Sequence, residues 1–233
     1  MKIGVTRFSW VVGLFLLSGW LGNSLFSQNI SADDSTPMAP TERIELLNGK
    51  NLEGWTSCLK GDPDPAKTFF MDEGVLKCTG FPNGYLRTKK SYRDYKLTVE
   101  WRFLKIGPGA DNTGVFIHTQ LPDRVWPQAG VECEGQYGKQ GDFVLMNQTT
   151  CKGNETTSPS RRIKMQDKPN ENPVGQWNIM EIVARGSTLE CSMNGKKLNA
   201  IEDLNISFGF IGLQSGNAYF EVRRLSLEPI SNP

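Results

Sequence analysis

The sequence is poor in the groups from which metal sites and nucleic-acid surfaces are built. It holds a single histidine, His118, and its five cysteines (Cys58, Cys78, Cys133, Cys151, Cys191) include no Cys-x-x-Cys pair. A zinc finger, a c-type haem and a histidine-rich metal site are thereby excluded by inventory. An excess of one charge is missing as well: 26 Lys+Arg stand against 25 Asp+Glu, a formal charge of +1, far below what wrapping a nucleic acid backbone requires. Nucleic acid is therefore not an expected partner. No apolar run reaches the roughly 20 residues of a membrane-spanning helix. The longest is WVVGLFLLSGWLG, from Trp10 to Gly22.

That run follows Lys2 and Arg7 and gives way to small and polar residues through Ser27, which is the pattern of a signal peptide over residues 1–27. Contact with a membrane is then expected only through this segment, if it stays uncleaved. The next cysteine is Cys58, too far on for a lipid-anchored N-terminus. Cleavage leaves 24 basic against 25 acidic side chains, a nearly neutral chain. The expected location is secreted, periplasmic or cell-surface, where disulfides are permitted.

Residues 28–43 are polar, carry two prolines and show no hydrophobic period, so they read as a flexible leader. The remainder, 44–230, is long enough for one domain, and its Gly- and Pro-rich composition suits a globular β-rich fold. Alternation of apolar and polar residues recurs in short pieces: Lys96 to Phe103, Thr113 to Thr119, Val131 to Tyr137, Ile179 to Arg185, Leu189 to Met193, Phe208 to Leu213 and Tyr219 to Leu227. Turn residues punctuate them, among them Asp72-Glu73-Gly74 and the hairpin pair Asn194-Gly195. Many short strands without helices between them predict an antiparallel sandwich or barrel. The stretch from Gly138 to Gly175 reads as a long surface excursion.

Period 2 also assigns faces. Leu97, Val99, Trp101 and Phe103 share one side of their strand; Lys96, Thr98, Glu100 and Arg102 share the other. In VECEGQY, Val131 and Cys133 alternate with Glu132, Glu134 and Gln136, which puts three polar groups about 7 Å apart along one face. Neighbouring carboxylates raise each other's pKa, which suits general acid/base work or a shared cation. The same pattern also fits a solvated face whose glutamates pair with basic neighbours such as Arg102. Paired carboxylates on one strand resemble those of glucanases built on lectin-like sandwiches, but the third position here is Gln136, which disfavours standard retaining hydrolysis. His118 is a candidate base or a hydrogen-bonded strand end; Trp126 is a candidate platform for a sugar ring or a plug over the core. Cys133 is expected as a free thiol in the core, and Cys58 and Cys151, both in loop-like stretches, as the partners of any disulfide.

In order along the chain, LLNGKNLEGW (from Leu46), DEGVL (from Asp72), GYLRTKKSYRDYKLTVEWRF (from Gly84), DNTGVFIH (from Asp111), AGVECEGQYG (from Ala129), GQWNIMEIVARG (from Gly175) and IGLQSGNAYFEVRRLSL (from Ile211) resemble the 3-keto-disaccharide hydrolase domain family. The resemblance implies an exported all-β protein, an antiparallel jelly-roll β-sandwich of the concanavalin A-like lectin/glucanase type. It also implies a substrate, an oxidised disaccharide or glycoside with a ketone at C3. That ketone acidifies the C2 proton, so a base can remove it and the C1 oxygen can leave, after which water adds to the enone. On this chain the implied base or cation ligand is Glu132, with His118 as acid/base partner and Glu134 as second carboxylate. Arg102, Asn112 and Gln136 would orient substrate or hold the enolate oxygen. A divalent cation could polarise the ketone. The alternative on the same fold is a non-catalytic carbohydrate-binding module.

Overall fold

The structure is a computed structural model and describes residues 36–106, 112–156 and 160–230. The expected signal peptide lies outside the described residues. The described part of the expected leader is tied to the domain, since the Met38 N–H donates to the Ser91 carbonyl and the Met38 carbonyl accepts from Arg93.

The described strands, numbered in chain order, form two antiparallel sheets. The first runs β13 (Lys196–Ile201), β12 (Thr188–Met193), β11 (Asn178–Arg185), β6 (Tyr95–Lys105), β15 (Tyr219–Pro229), β4 (Val75–Cys78), β3 (Phe69–Asp72), with the short β1 (Ile44–Glu45) also on β15. The second runs β10 (Ser160–Ile163), β9 (Phe143–Asn147), β8 (Ala129–Glu134), β7 (Gly114–Thr119), β14 (Phe210–Ser215), β5 (Gly84–Thr88), β2 (Trp55–Leu59). Neighbours distant in sequence, such as β6 beside β15 and β7 beside β14, give the crossed connections of a jelly roll. This is the concanavalin-like sandwich that the sequence led us to expect.

Alternation builds the core between the sheets. Leu97, Val99, Trp101 and Phe103 of β6 point inward and meet Val115, Ile117, Val131, Cys133, Phe143 and Leu145 of the second sheet, all of them buried. Each fully enclosed Phe or Leu contributes about 1.5–3 kcal/mol relative to exposure, so the pattern fixes the register: a slip by one residue would turn the whole set outward. The Asn194-Gly195 pair makes the expected hairpin, both residues at positive φ (48° and 79°), between Met193 and its partner Lys196.

Two sequence expectations need correction. The excursion from Gly138 to Gly175 contains β9 and β10 and so widens the second sheet by two strands. β9 has the buried run FVLM, which carries no alternation because both of its faces are covered. The second concerns β8, which stops at Glu134 rather than Tyr137. Beyond it the chain turns: the Gly135 N–H donates to the Thr113 carbonyl at 2.8 Å, and the Gln136 N–H donates to Glu134 Oε1 at 3.1 Å.

Candidate functional site

The second sheet has a face turned away from the first, and there alternation collects Glu132, Glu134, Gly114, Phe116, Val144, Met146, Tyr85, Arg87 and Gln214. Tyr85, Phe116 and Met146 form an apolar cluster of their own, separate from the main core, with Trp126 and Cys58 packed against it. Trp126 meets Phe116 edge-on, with centroids 5.7 Å apart and planes at 86°. It reaches this place from the 120–128 loop, which Asp123 ties down by accepting from Arg87 Nε and Nη2, each at 2.7 Å, and from the Tyr85 hydroxyl at 3.1 Å.

Both glutamates of β8 are on this face, yet they are nearly closed to water: Glu132 is 4% exposed and Glu134 1%. Their partners differ. Glu134 Oε2 takes a hydrogen bond from Arg162 of β10, whose other Nη donates to Asp142 Oδ2 at 3.1 Å. Asp142 Oδ1 also accepts from the Met165 N–H at 2.8 Å. One guanidinium thus holds two carboxylates. The register puts Phe116 on one side of Glu132 and Val144 on the other, and its Oε1 is buried with no hydrogen-bond partner. Gly114 provides the space for this side chain, because a Cβ there would lie 2.3 Å from Glu132 Oε1. Burial pushes the Glu132 carboxyl well above the usual carboxylate range, Glu134 pushes it the same way, and Arg162 opposes both. The result is a neutral-prone acid without a committed partner, beside aromatic rings.

Asn112 belongs to the same neighbourhood. Its Nδ2 and Gln214 Oε1 both crowd the Cα of Gly216, where a Cβ would meet them at 2.9 and 3.0 Å, and that Gln214 oxygen is another buried acceptor without a partner. Gln136 lies just past the end of β8 on the turn, and its Oε1 accepts from Lys139 Nζ at 2.8 Å. It is therefore not the third member of an aligned row.

Two expected site residues are elsewhere, and the reasons are topological. Arg102 belongs to β6 of the first sheet, whose polar side faces away from the shared core just as that of β8 does, so the two are on opposite outer surfaces of the sandwich. There Arg102 pairs with Glu221 at 2.8 Å and stacks its guanidinium 4.4 Å from the centre of the Trp177 ring. His118 is diverted by an irregularity where β7 meets β14, at which it adopts φ +55°. Its ring enters the interior edge-on to Tyr95, with centroids 5.9 Å apart, and neither nitrogen has a hydrogen-bond partner. Burial lowers its pKa to about 4, with Asp94 opposing. Among the described residues no three His, Cys, Asp or Glu side chains converge where they could hold a metal ion. The carboxylates nearest to such a role, Glu134 and Asp142, are both engaged by Arg162, so the donor set does not fit the cation that the sequence admitted.

Sequence reasoning missed Arg162, Asp142, Tyr85, Arg87 and Asp123. Tyr85 and Arg87 alternate in GYLRT and could have been found by the same face assignment. Arg162 could not, because the segment carrying it offers no period to place it opposite Glu134.

Fold and site together define a concanavalin-like sandwich with an enclosed carboxylate cluster and aromatic rings on one outer face. The chain belongs to the 3-keto-α-glucoside-1,2-lyase-like domain family, whose model matches residues 42–228, and it is a carbohydrate-active protein. Among solved structures it is similar to a candidate glycosyl hydrolase of Parabacteroides distasonis ATCC 8503 (TM-score 0.60, 18% identity, 82% of this chain and 95% of that one). It is also similar to a β-glucanase of Bacillus licheniformis (TM-score 0.55, 10% identity, 80% and 97%). A third similar structure is the carbohydrate recognition domain of Emp46p (TM-score 0.50, 13% identity, 81% and 96%). At these identities the likeness shows the fold. No curated protein matches the sequence.

Proposed function

We propose that the protein is an exported enzyme that cleaves 3-keto-glycosides by removing the C2 proton, expelling the C1 oxygen and letting water add to the enone. The observation that carries this reading is Glu132, a carboxyl pushed up by burial and left with an unpartnered oxygen in a water-poor site. A carboxylate of ordinary pKa is a weak base toward a carbon acid; one whose proton affinity is raised by burial matches the task better. Once Glu132 holds the C2 proton, it is the group placed to return it to the leaving oxygen, a role for which interior His118 is unavailable. Arg162 supplies positive charge near the developing enolate, Asn112 and Gln214 supply amides to orient the sugar, and Trp126 supplies a ring face to stack on it. Membership in the 3-keto-α-glucoside-1,2-lyase-like family supports the reaction class.

The test is to incubate the protein with a panel of 3-keto-disaccharides and their unoxidised parents and to follow sugar release by NMR. Release is expected from the keto sugars alone. Glu132→Gln keeps the shape of the side chain and is expected to lower turnover by roughly 10²- to 10⁴-fold, with binding changed only a few fold. Full activity of that variant would remove Glu132 as the base. Binding of glycosides with no cleavage of any would make the aromatic face a lectin site instead.

A further inference from the structure

We propose that Cys133 and Cys191 are the site of a disulfide that joins the two sheets through the core. Cys133 is on β8 and Cys191 on β12, strands of different sheets separated by 58 residues in sequence, and their sulfurs lie 3.0 Å apart. Both are fully buried. That separation is closer than ordinary van der Waals contact between two sulfur atoms, and bonding distance, about 2.05 Å, is reached by closing a gap of about 1 Å with small side-chain rotations. The other three thiols engage the chain around them: Cys78 Sγ accepts from the Gly80 N–H, Cys151 Sγ lies against the Lys152 carbonyl, and Cys58 packs beside the Tyr85 cluster. The pairing expected from sequence, Cys58 with Cys151, is not assembled; these residues belong to different hydrophobic clusters.

The chemistry is thiol–disulfide exchange with a small-molecule disulfide as oxidant. The thiolate of one cysteine attacks the oxidant and releases one thiol; the thiolate of the other attacks the mixed disulfide and releases the second. One protein S–S bond forms, the two cysteines lose two protons and two electrons, and the oxidant leaves as two thiols. Both sulfurs are enclosed in the folded protein, and burial and the adjacent thiol raise the Cys133 pKa, so exchange after folding is slow. The bond therefore forms while the chain is folding, before the sheets close over the sulfurs. Once made, it anchors β8, the strand carrying Glu132 and Glu134, to the opposite sheet.

The test uses the full chain, refolded from the reduced unfolded state in glutathione disulfide and, in parallel, isolated after secretion into a bacterial periplasm. Free thiols are alkylated in denaturant and the protein is digested without reduction for mass spectrometry. The expected result is one cross-linked peptide pair containing Cys133 and Cys191, with Cys58, Cys78 and Cys151 alkylated, and a melting temperature about 10 °C above that of the reduced protein. Cys133→Ala and Cys191→Ala are each expected to abolish that difference. Alkylation of both Cys133 and Cys191 in the folded product, or a bridge from either to another cysteine, would overturn the proposal. Should the alanine variants fail to fold, the wild-type peptide map decides alone.

Discussion

The two outward faces of the sandwich are built from the same alternation and end with opposite electrostatics. On the first sheet, acids and bases interleave: Arg102 and Lys77 share Glu221, Lys77 also holds Asp72, Arg223 holds Glu100, and Lys96 lies between Glu181 and Glu228. Trp177 lies between Arg102 and Arg223, each guanidinium 4.4 Å from its ring centre. On the second sheet, three acids gather around Arg162 and one of them, Glu132, is left over. The first arrangement gives each of these acids a basic partner, most of them open to water; the second buries a surplus carboxyl. A surplus under low dielectric raises proton affinity, whereas matched pairs lower it. That difference separates a charge-matched wall from one that holds a surplus acid.

Removing the shared cation breaks the contrast most strongly. Arg162→Leu would leave Glu134 and Asp142 buried without a counterion. We expect a loss of about 2 kcal/mol in chemical denaturation, below the roughly 3–5 kcal/mol of a fully enclosed pair because water reaches the guanidinium. An unchanged stability would mean that Arg162 does not hold the cluster.

A pH titration of two glutamate variants sharpens it. Glu100 is held below its ordinary pKa, chiefly by the Arg223 hydrogen bond, so it stabilises the fold above the unfolded carboxylate pKa and that contribution is lost as pH falls through its folded value. Glu100→Gln should therefore cost about 1 kcal/mol at neutral pH and nothing in acid. Glu132 has its folded pKa raised, so its contribution is fully present below the unfolded value and is lost as pH rises through the folded one. Glu132→Gln should gain on the wild type as pH rises. Curves of the same sign would contradict the contrast. The smallest effect is expected at Arg102→Ala: about 0.5 kcal/mol of stability, as for an exposed ion pair, and no change in turnover on a keto sugar. A large fall in turnover would return Arg102 to the site.

What the sequence could reveal follows from what period 2 encodes. It separates the two faces of each strand, so the inward set, the Asn194-Gly195 hairpin and the outward placing of Glu132 and Glu134 were legible. It does not say which sheet a strand joins, and so Arg102 was assigned to the wrong outer face. It is blind to a local break in alternation: one residue at positive φ takes His118 from the expected face into the interior. Nor does it reach strands buried on both sides, which hid β9 and, beyond it, the β10 that carries Arg162.

The placement of Arg162 on β10 couples the Glu132 carboxyl to the rim of the sheet. β10 ends the strand order and, among the described residues, pairs with a strand on its β9 side alone. An outermost strand is the part of a sheet that frays most readily. With β10 docked, Arg162 lowers the proton affinity of Glu132 against the larger upward push of burial; by reciprocity, ionising Glu132 strengthens the hold of Arg162 on that strand. Proton affinity and strand docking are thus two readings of one equilibrium, in which the ionised Glu132 carboxylate and the Arg162 contact favour each other.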